Sequence, residues 1–189
     1  MRKTWWTLGS VVALSLAACG GNNGGGNNGG GNDAGTGTEV VCTGTFSGAV
    51  TGKVKFCSLE AATLANGQLQ YSLQIEPEEG SGTIESSDTL LLFMSGDPKT
   101  GTYSAGNGIT QALGGVESTD GKRYSVQLSS GSGIGAVTLT IDSVPAGKDS
   151  GGNTLYEWFG GKAQIQYAPP EGSDYSGTVN LSLDFKPQS

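Results

Sequence analysis

The chain contains no histidine. That absence removes the usual general base of serine and cysteine hydrolases and the commonest zinc ligand. Enzyme chemistry is left to paired carboxylates, to a Ser–Lys arrangement or to tyrosine. Cations are scarce as well, with 10 Lys and Arg against 17 Asp and Glu. Beyond Arg2 and Lys3, only Lys122 and Arg123 stand side by side. Phosphate contact needs clustered Lys and Arg, so no nucleic-acid partner is expected. Long apolar runs are missing too. The longest stretch, Trp5 to Ala18, is broken by Thr7, Gly9, Ser10 and Ser15. As a helix it would span roughly 21 Å, short of the ~30 Å hydrocarbon core of a bilayer. Helical periodicity is rare along the chain, and no internal repeat stands out.

What is present begins with an export signal. Arg2 and Lys3 precede the short apolar stretch, which ends in Leu16-Ala17-Ala18-Cys19. A basic start, an apolar middle and small residues before the cut describe a removable signal peptide, residues 1–18. The Leu-Ala-Ala-Cys-Gly run resembles the lipobox of bacterial lipoproteins. That resemblance implies alkylation of the Cys19 thiol by a diacylglyceryl group, cleavage before Cys19 and acylation of the new amino group, commonly with palmitate. Stable anchoring takes two acyl chains, and a lipidated Cys19 would exceed that. An ordinary secretory signal that happens to precede a cysteine is the alternative. Gly20 stands where an Asp commonly retains lipoproteins in the inner membrane. The resemblance therefore implies outer-membrane sorting in a Gram-negative host.

Residues 19–38 follow as the lipidated cysteine and a run of almost pure Gly and Asn. No side chain there can build a core, and Gly loses the most entropy on ordering. The expectation is a flexible tether with a reach of roughly 24 Å. Residues 39–189 are enough for one domain. Of the 10 basic residues, Arg2 and Lys3 leave with the signal, so eight face 17 acidic groups and the mature net charge is −9.

Three cysteines occur, and the lipid claims one. Cys42 and Cys57 would then share an oxidising compartment, where a disulfide is the default state. A bridge needs Cα atoms within about 7 Å. The intervening chain, if extended, would cover roughly 50 Å at ~3.3 Å per residue. The chain must therefore reverse, with Gly48 or Thr51-Gly52 as turning points.

Period-2 alternation predicts half-buried strands. Leu69, Tyr71, Leu73 and Ile75 alternate with polar residues, as do Tyr124, Val126 and Leu128. Val137, Leu139 and Ile141 repeat the pattern, and so do Val179, Leu181, Leu183 and Phe185. The unbroken run Leu90 to Met94 reads as a strand covered on both sides. Gln164 to Tyr167 reads as the end of a strand beginning near Leu155. Asn66-Gly67, Asp120-Gly121 and other Gly, Asn and Pro clusters mark turns between the runs. The expected fold is all-β, an antiparallel β-sandwich or barrel-like sheet of about nine strands. Leu59 to Ala65 could be a short helix capped by Ser58 or part of a hairpin turning at Asn66-Gly67. Gly114-Gly115 and Gly131 to Gly135 read as mobile loops. The patches Cys42-Thr-Gly-Thr-Phe46-Ser-Gly, Gly101-Thr-Tyr103-Ser and Gly177 through Phe185 are similar to small β-rich bacterial envelope lipoproteins. That likeness implies the fold class and no site.

Several groups invite chemistry. Glu76, Glu78 and Glu79 could pair as hydrolytic carboxylates, but they read as a solvated turn. Asp142, Asp149, Asn153 and Glu157 bracket a Gly-rich loop able to offer oxygens to Ca²⁺, although their spacing matches no EF-hand. Ser132 sits in a Gly-x-Ser-x-Gly-like run with no histidine to activate it. Tyr156, Trp158 and Phe159 form the densest aromatic group. An exposed platform of that kind stacks sugar rings, whereas a buried one is core. No cofactor or metal is expected. The functional expectation is a lipid-anchored, exported, non-enzymatic envelope module, binding or structural, with the membrane and a glycan or envelope protein as partners. Carbohydrate binding near Trp158 is the alternative. A carboxylate hydrolase using Glu76 or Glu157 is the second.

Overall fold

A computed structural model of the chain describes residues 40–96, 99–144 and 160–187. The described residues fold into twelve strands and no helix. In chain order these are β1 (Val40–Gly48), β2 (Gly52–Thr63), β3 (Leu69–Pro77), β4 (Ile84–Ser87), β5 (Leu90–Met94) and β6 (Gly101–Ala105). They continue as β7 (Gly108–Ser118), β8 (Arg123–Ser129), β9 (Ser132–Ile134), β10 (Ala136–Ser143), β11 (Gly160–Tyr167) and β12 (Val179–Pro187). Cys19, the Gly/Asn-rich run, Asp149, Asn153, Tyr156, Glu157, Trp158 and Phe159 lie outside the described residues, as does the start of the strand expected near Leu155.

The sheet runs β5-β3-β2-β1-β12-β11-β10-β6-β7, and β7 pairs back to β5. Nine strands thus close a ring, and the choice between sandwich and barrel falls to the barrel. All neighbours are antiparallel except the short β6–β7 contact, where Ser104 and Ala105 run parallel to Gly108 and Ile109. Ile109 faces Met94 of β5 on one edge and Ala105 of β6 on the other. Val116 faces Ser87 of β4 and Tyr124 of β8 in the same way. The wall beside β7 is therefore shared, by β5 and β4 on one edge and by β6 and β8 on the other. The hairpin β8–β9 extends it, and a bridge from Ser125 to Ala168 ties β8 to the end of β11.

The inward faces are the alternating residues of the sequence. Leu69, Tyr71, Leu73 and Ile75 of β3 are buried together with Val137, Leu139 and Ile141 of β10 and Val179, Leu181, Leu183 and Phe185 of β12. Their polar neighbours face out, which is the pattern of a sheet wet on one side. Within Leu90 to Met94, only Leu90, Leu92 and Met94 are buried. Leu91 and Phe93 are half-buried on the outer face.

The Leu59 to Ala65 segment is a hairpin, not a helix. Leu59 pairs with Leu73 and Thr63 with Leu69. The Leu64 carbonyl accepts the Gly67 N–H at 2.8 Å, and Gly67 sits at φ 78°. This is a type I turn closed by a left-handed glycine, the common longer hairpin connection. Seven residues are too few to offset helix nucleation when each can join a ladder instead. Gly114 and Gly115 do not form a loop either, since both lie inside β7. A Cβ on Gly114 would stand 2.9 Å from Leu90 Cδ1, and one on Gly115 would stand 2.8 Å from Asp88 Oδ2. The two glycines make room on opposite faces of one strand. Gly131 is a turn, but Gly133 pairs with Leu128 inside β9.

Gly161 of β11 is hemmed between Ile141 and Phe185. A Cβ there would lie 2.0 Å from the Thr140 carbonyl oxygen, a backbone atom fixed by pairing. Gly161→Ala should lower stability by about 1–3 kcal/mol, the cost of overpacking a rigid site. Thermal melting would show it, and an unchanged midpoint would contradict this packing.

Candidate functional site

The strand after the first turn carries a local irregularity with large consequences. On β1 and β2, Thr45 faces Lys53 and Phe46 faces Gly52. Cys57 lies four positions beyond Lys53, but Cys42 lies only three from Thr45, and the two cysteines are bonded. On the other side, Val54 faces Pro77 while Phe56 faces Glu76. Strand β2 therefore holds one extra residue relative to both neighbours. Such a β-bulge breaks the in–out alternation and re-aims the side chains after it.

Strict alternation from the core-packed Val54 would put Phe56 inside and Cys57 outside. The bulge reverses both. Cys57 is buried at 4% exposure and reaches Cys42 across the barrel wall, with Cα atoms 5.7 Å apart. Lys55 and Phe56 both face solvent. Phe56 is the exposed large hydrophobic residue among those described, at 48%. The expected disulfide is thus present, and the same backbone feature that forms it displays an aromatic ring.

Phe56 borders a depression of about 280 Å³ with Gln74, Ile75, Glu76, Ser87 and Thr89. The depression follows from the sheet. Strand β3 pairs with β5 only as far as Leu73, and β4 pairs with β7 instead. Along Gln74 to Glu76 that edge of β3 therefore carries no ladder, and β4 lies beside it without pairing to it. The Glu76 carboxylate accepts a hydrogen bond from Lys55 Nζ at 2.5 Å. That contact holds the Lys55 ammonium above its ordinary range, the hydrogen bond and charge of Glu76 being the main cause.

The opposite outer face differs. Thr45, Ser182, Gln164, Thr138 and Ser104 line up across five strands in one register row. Gln166 Nε2 donates to Asn180 Oδ1 at 3.2 Å, and Thr102 and Thr140 hydroxyls lie 3.3 Å apart. Shallow depressions of about 380 and 360 Å³ run over this face. Its side chains are mostly short and polar, with Lys162 and Asp184 beside them, and the row carries no ring.

The remaining candidates disperse. Glu76 lies on β3 rather than in a turn, while Glu78 and Glu79 sit exposed beyond its end. Asp142 is exposed at the end of β10, and among the described residues no three His, Cys, Asp or Glu side chains gather as a metal cluster. Ser132 Oγ donates to the Ser129 carbonyl at 3.2 Å, across a two-residue turn in which Ser130 and Gly131 both have positive φ. Asp88 pairs with Arg123, which also reaches Glu117. Asp120 accepts from Lys122 and from the Ser118 hydroxyl, and these contacts hold its carboxyl below the ordinary range. Asp88, Glu117 and Asp120 thus gather around the adjacent cations Lys122 and Arg123, while Glu76 bonds Lys55 elsewhere. No family model, no curated protein and no solved structure matches the chain.

One buried group has no role in this surface. Tyr167 is fully enclosed, and its hydroxyl lacks a hydrogen-bond partner among the described residues. Burial pushes its pKa up, with a smaller push from the Asp88 charge. A raised tyrosine pKa favours the neutral form in the fold. Its contribution is complete below the unfolded value of about 10 and is lost as the pH climbs above it. Tyr167→Phe removes an unpaired buried hydroxyl, so it should be neutral or stabilising by up to about 1–3 kcal/mol near neutral pH. It should also flatten the loss of stability on the alkaline side. Denaturant titrations of both proteins at neutral and alkaline pH test this, and a clearly destabilised variant would contradict it.

Proposed function

We propose that the chain is a lipid-anchored, exported envelope module that displays a non-enzymatic binding surface from the membrane. The observation that carries this reading is the arithmetic of its cysteines. Cys42 and Cys57 bond to each other, and the odd third cysteine is the one at the end of Leu16-Ala17-Ala18-Cys19. An unpaired cysteine in an exported chain needs a purpose, and lipidation at the lipobox-like run supplies one. A structural bridge also suits an oxidising compartment. The Gly/Asn-rich run then serves as a spacer between bilayer and barrel. Gly20, in place of an Asp, favours delivery to the outer membrane in a Gram-negative host.

Binding rather than catalysis is favoured by how the acidic groups are used. Glu76 bonds Lys55, and Asp88, Glu117 and Asp120 bond the adjacent Arg123 and Lys122, so each of these acids faces a cation. A hydrolytic pair needs two carboxylates facing each other across one bond, about 5–10 Å apart. Display of a rigid surface asks less of the chain.

Growth of an expressing bacterium with radiolabelled palmitate should label the protein, and Cys19→Ser should abolish the label and release the protein from membranes. A Cys19→Ser variant that still partitions with membranes would overturn the lipid anchor.

A further inference from the structure

Taking the chain as an exported binding module, we propose that the depression beside Phe56 seats one neutral pyranose ring of a glycan. A pyranose presents an apolar C–H face and a rim of hydroxyls. The depression offers the complement, an exposed phenyl ring at 48% exposure beside Gln74, Glu76, Ser87 and Thr89. An amide and two hydroxyls both donate and accept, while the carboxylate accepts. A few polar groups that fix orientation beside an apolar surface are the usual make-up of a ligand site.

The ring is also fixed before any ligand arrives. Its backbone lies in the bulge, its next neighbour is Cys57, and the bond from Cys57 to Cys42 holds that neighbour to β1. Glu76 is oriented in turn by Lys55. Groups already held in place lose little entropy on binding. A phenyl ring left 48% exposed gives the fold only part of what a buried one would, and the alternation of β2 would have buried it without the extra residue.

Other ligand chemistries fit less well. A purely apolar ligand would leave the polar rim unpaired, which is costly. An anionic ligand would meet Glu76, with Glu78 and Glu79 close by in the chain. A peptide strand would need a longer edge, since the unpaired stretch of β3 spans only Gln74 to Glu76 and a strand usually pairs over about 5–6 residues. The volume of about 280 Å³ suits a single ring.

The test is calorimetric titration of the full chain in mild detergent with maltohexaose, cellohexaose and N-acetylchitohexaose. At least one should bind saturably. Phe56→Ala should weaken that binding by about tenfold, the scale expected for one lost ring contact. Phe56→Leu should weaken it similarly although it keeps apolar bulk, and Phe56→Trp should preserve or strengthen it. All three variants should melt with the parent, because the side chain lies outside the core. Failure of all three oligosaccharides to bind overturns the proposal, as does Phe56→Ala or Phe56→Leu binding as tightly as the parent. If an unstructured peptide binds there and the sugars do not, glycan recognition is overturned while the binding-module reading stands. Membrane release of Cys19→Ser bears on the anchor alone.

Discussion

The barrel depends on how its first strand is held. Strand β1 lies between β12 and β2, so it is the link that joins the end of the domain to its beginning. Toward β12 it is paired along its whole length, from Val40 against Pro187 to Gly48 against Val179. Toward β2 the ladder covers only Thr45 and Phe46. Beyond that point the extra residue of β2 puts the backbones out of phase, and the Cys42–Cys57 bond spans the stretch where the ladder has stopped. Closing a 15-residue loop contributes on the order of 3 kcal/mol by restricting the unfolded chain. The weakest neighbour contact of the ring's first strand thus coincides with its only covalent cross-link among the described residues.

That seam also determines the surface. The same bulge that brings Cys57 inward sends Phe56 outward beside the already outward Lys55, and both then meet Glu76 on β3. Where β3 outruns β5, its edge is left without a ladder beside them. An exposed ring, an oriented carboxylate and an unpaired edge are therefore three results of two events, one inserted residue and one strand that ends early. On the far side the one irregularity lies at the end of the β10–β11 ladder, where β10 gains a residue between Ile141 and Ser143. The row from Thr45 to Ser104 stays in register across five strands, and the outer face there is mostly Thr, Ser, Asn and Gln with Lys162 and Asp184 among them.

Strands with clean alternation were legible in the sequence, because one buried face forces period 2 regardless of topology. The β3, β10 and β12 cores follow residue by residue from that rule, and the disulfide followed from compartment and reach. What was not legible depended on distant partners. Ring closure rests on β7 meeting both β5 and β6, and no local pattern of Leu90–Met94 or Gly108–Ser118 reveals which edges will join. Gly114-Gly115 looked like a loop because glycine in a strand is justified only by what packs against it, here Leu90 and Asp88. Phe56 was missed because alternation assigns it to the core. The usable signal was parity: if Cys57 must face inward to meet Cys42, the residue before it must face out.

The most direct test of this account is native-state hydrogen exchange on the parent and on the Cys42→Ala/Cys57→Ala double variant. The seam's dependence on the bridge calls for selective loss of protection along Val54 to Ser58 and the facing part of β1, with global stability lower by about 3 kcal/mol. The β10–β11–β12 ladder should stay the best-protected part of the barrel. Equal protection across β1 and β2 in the two proteins, at equal stability, would contradict it.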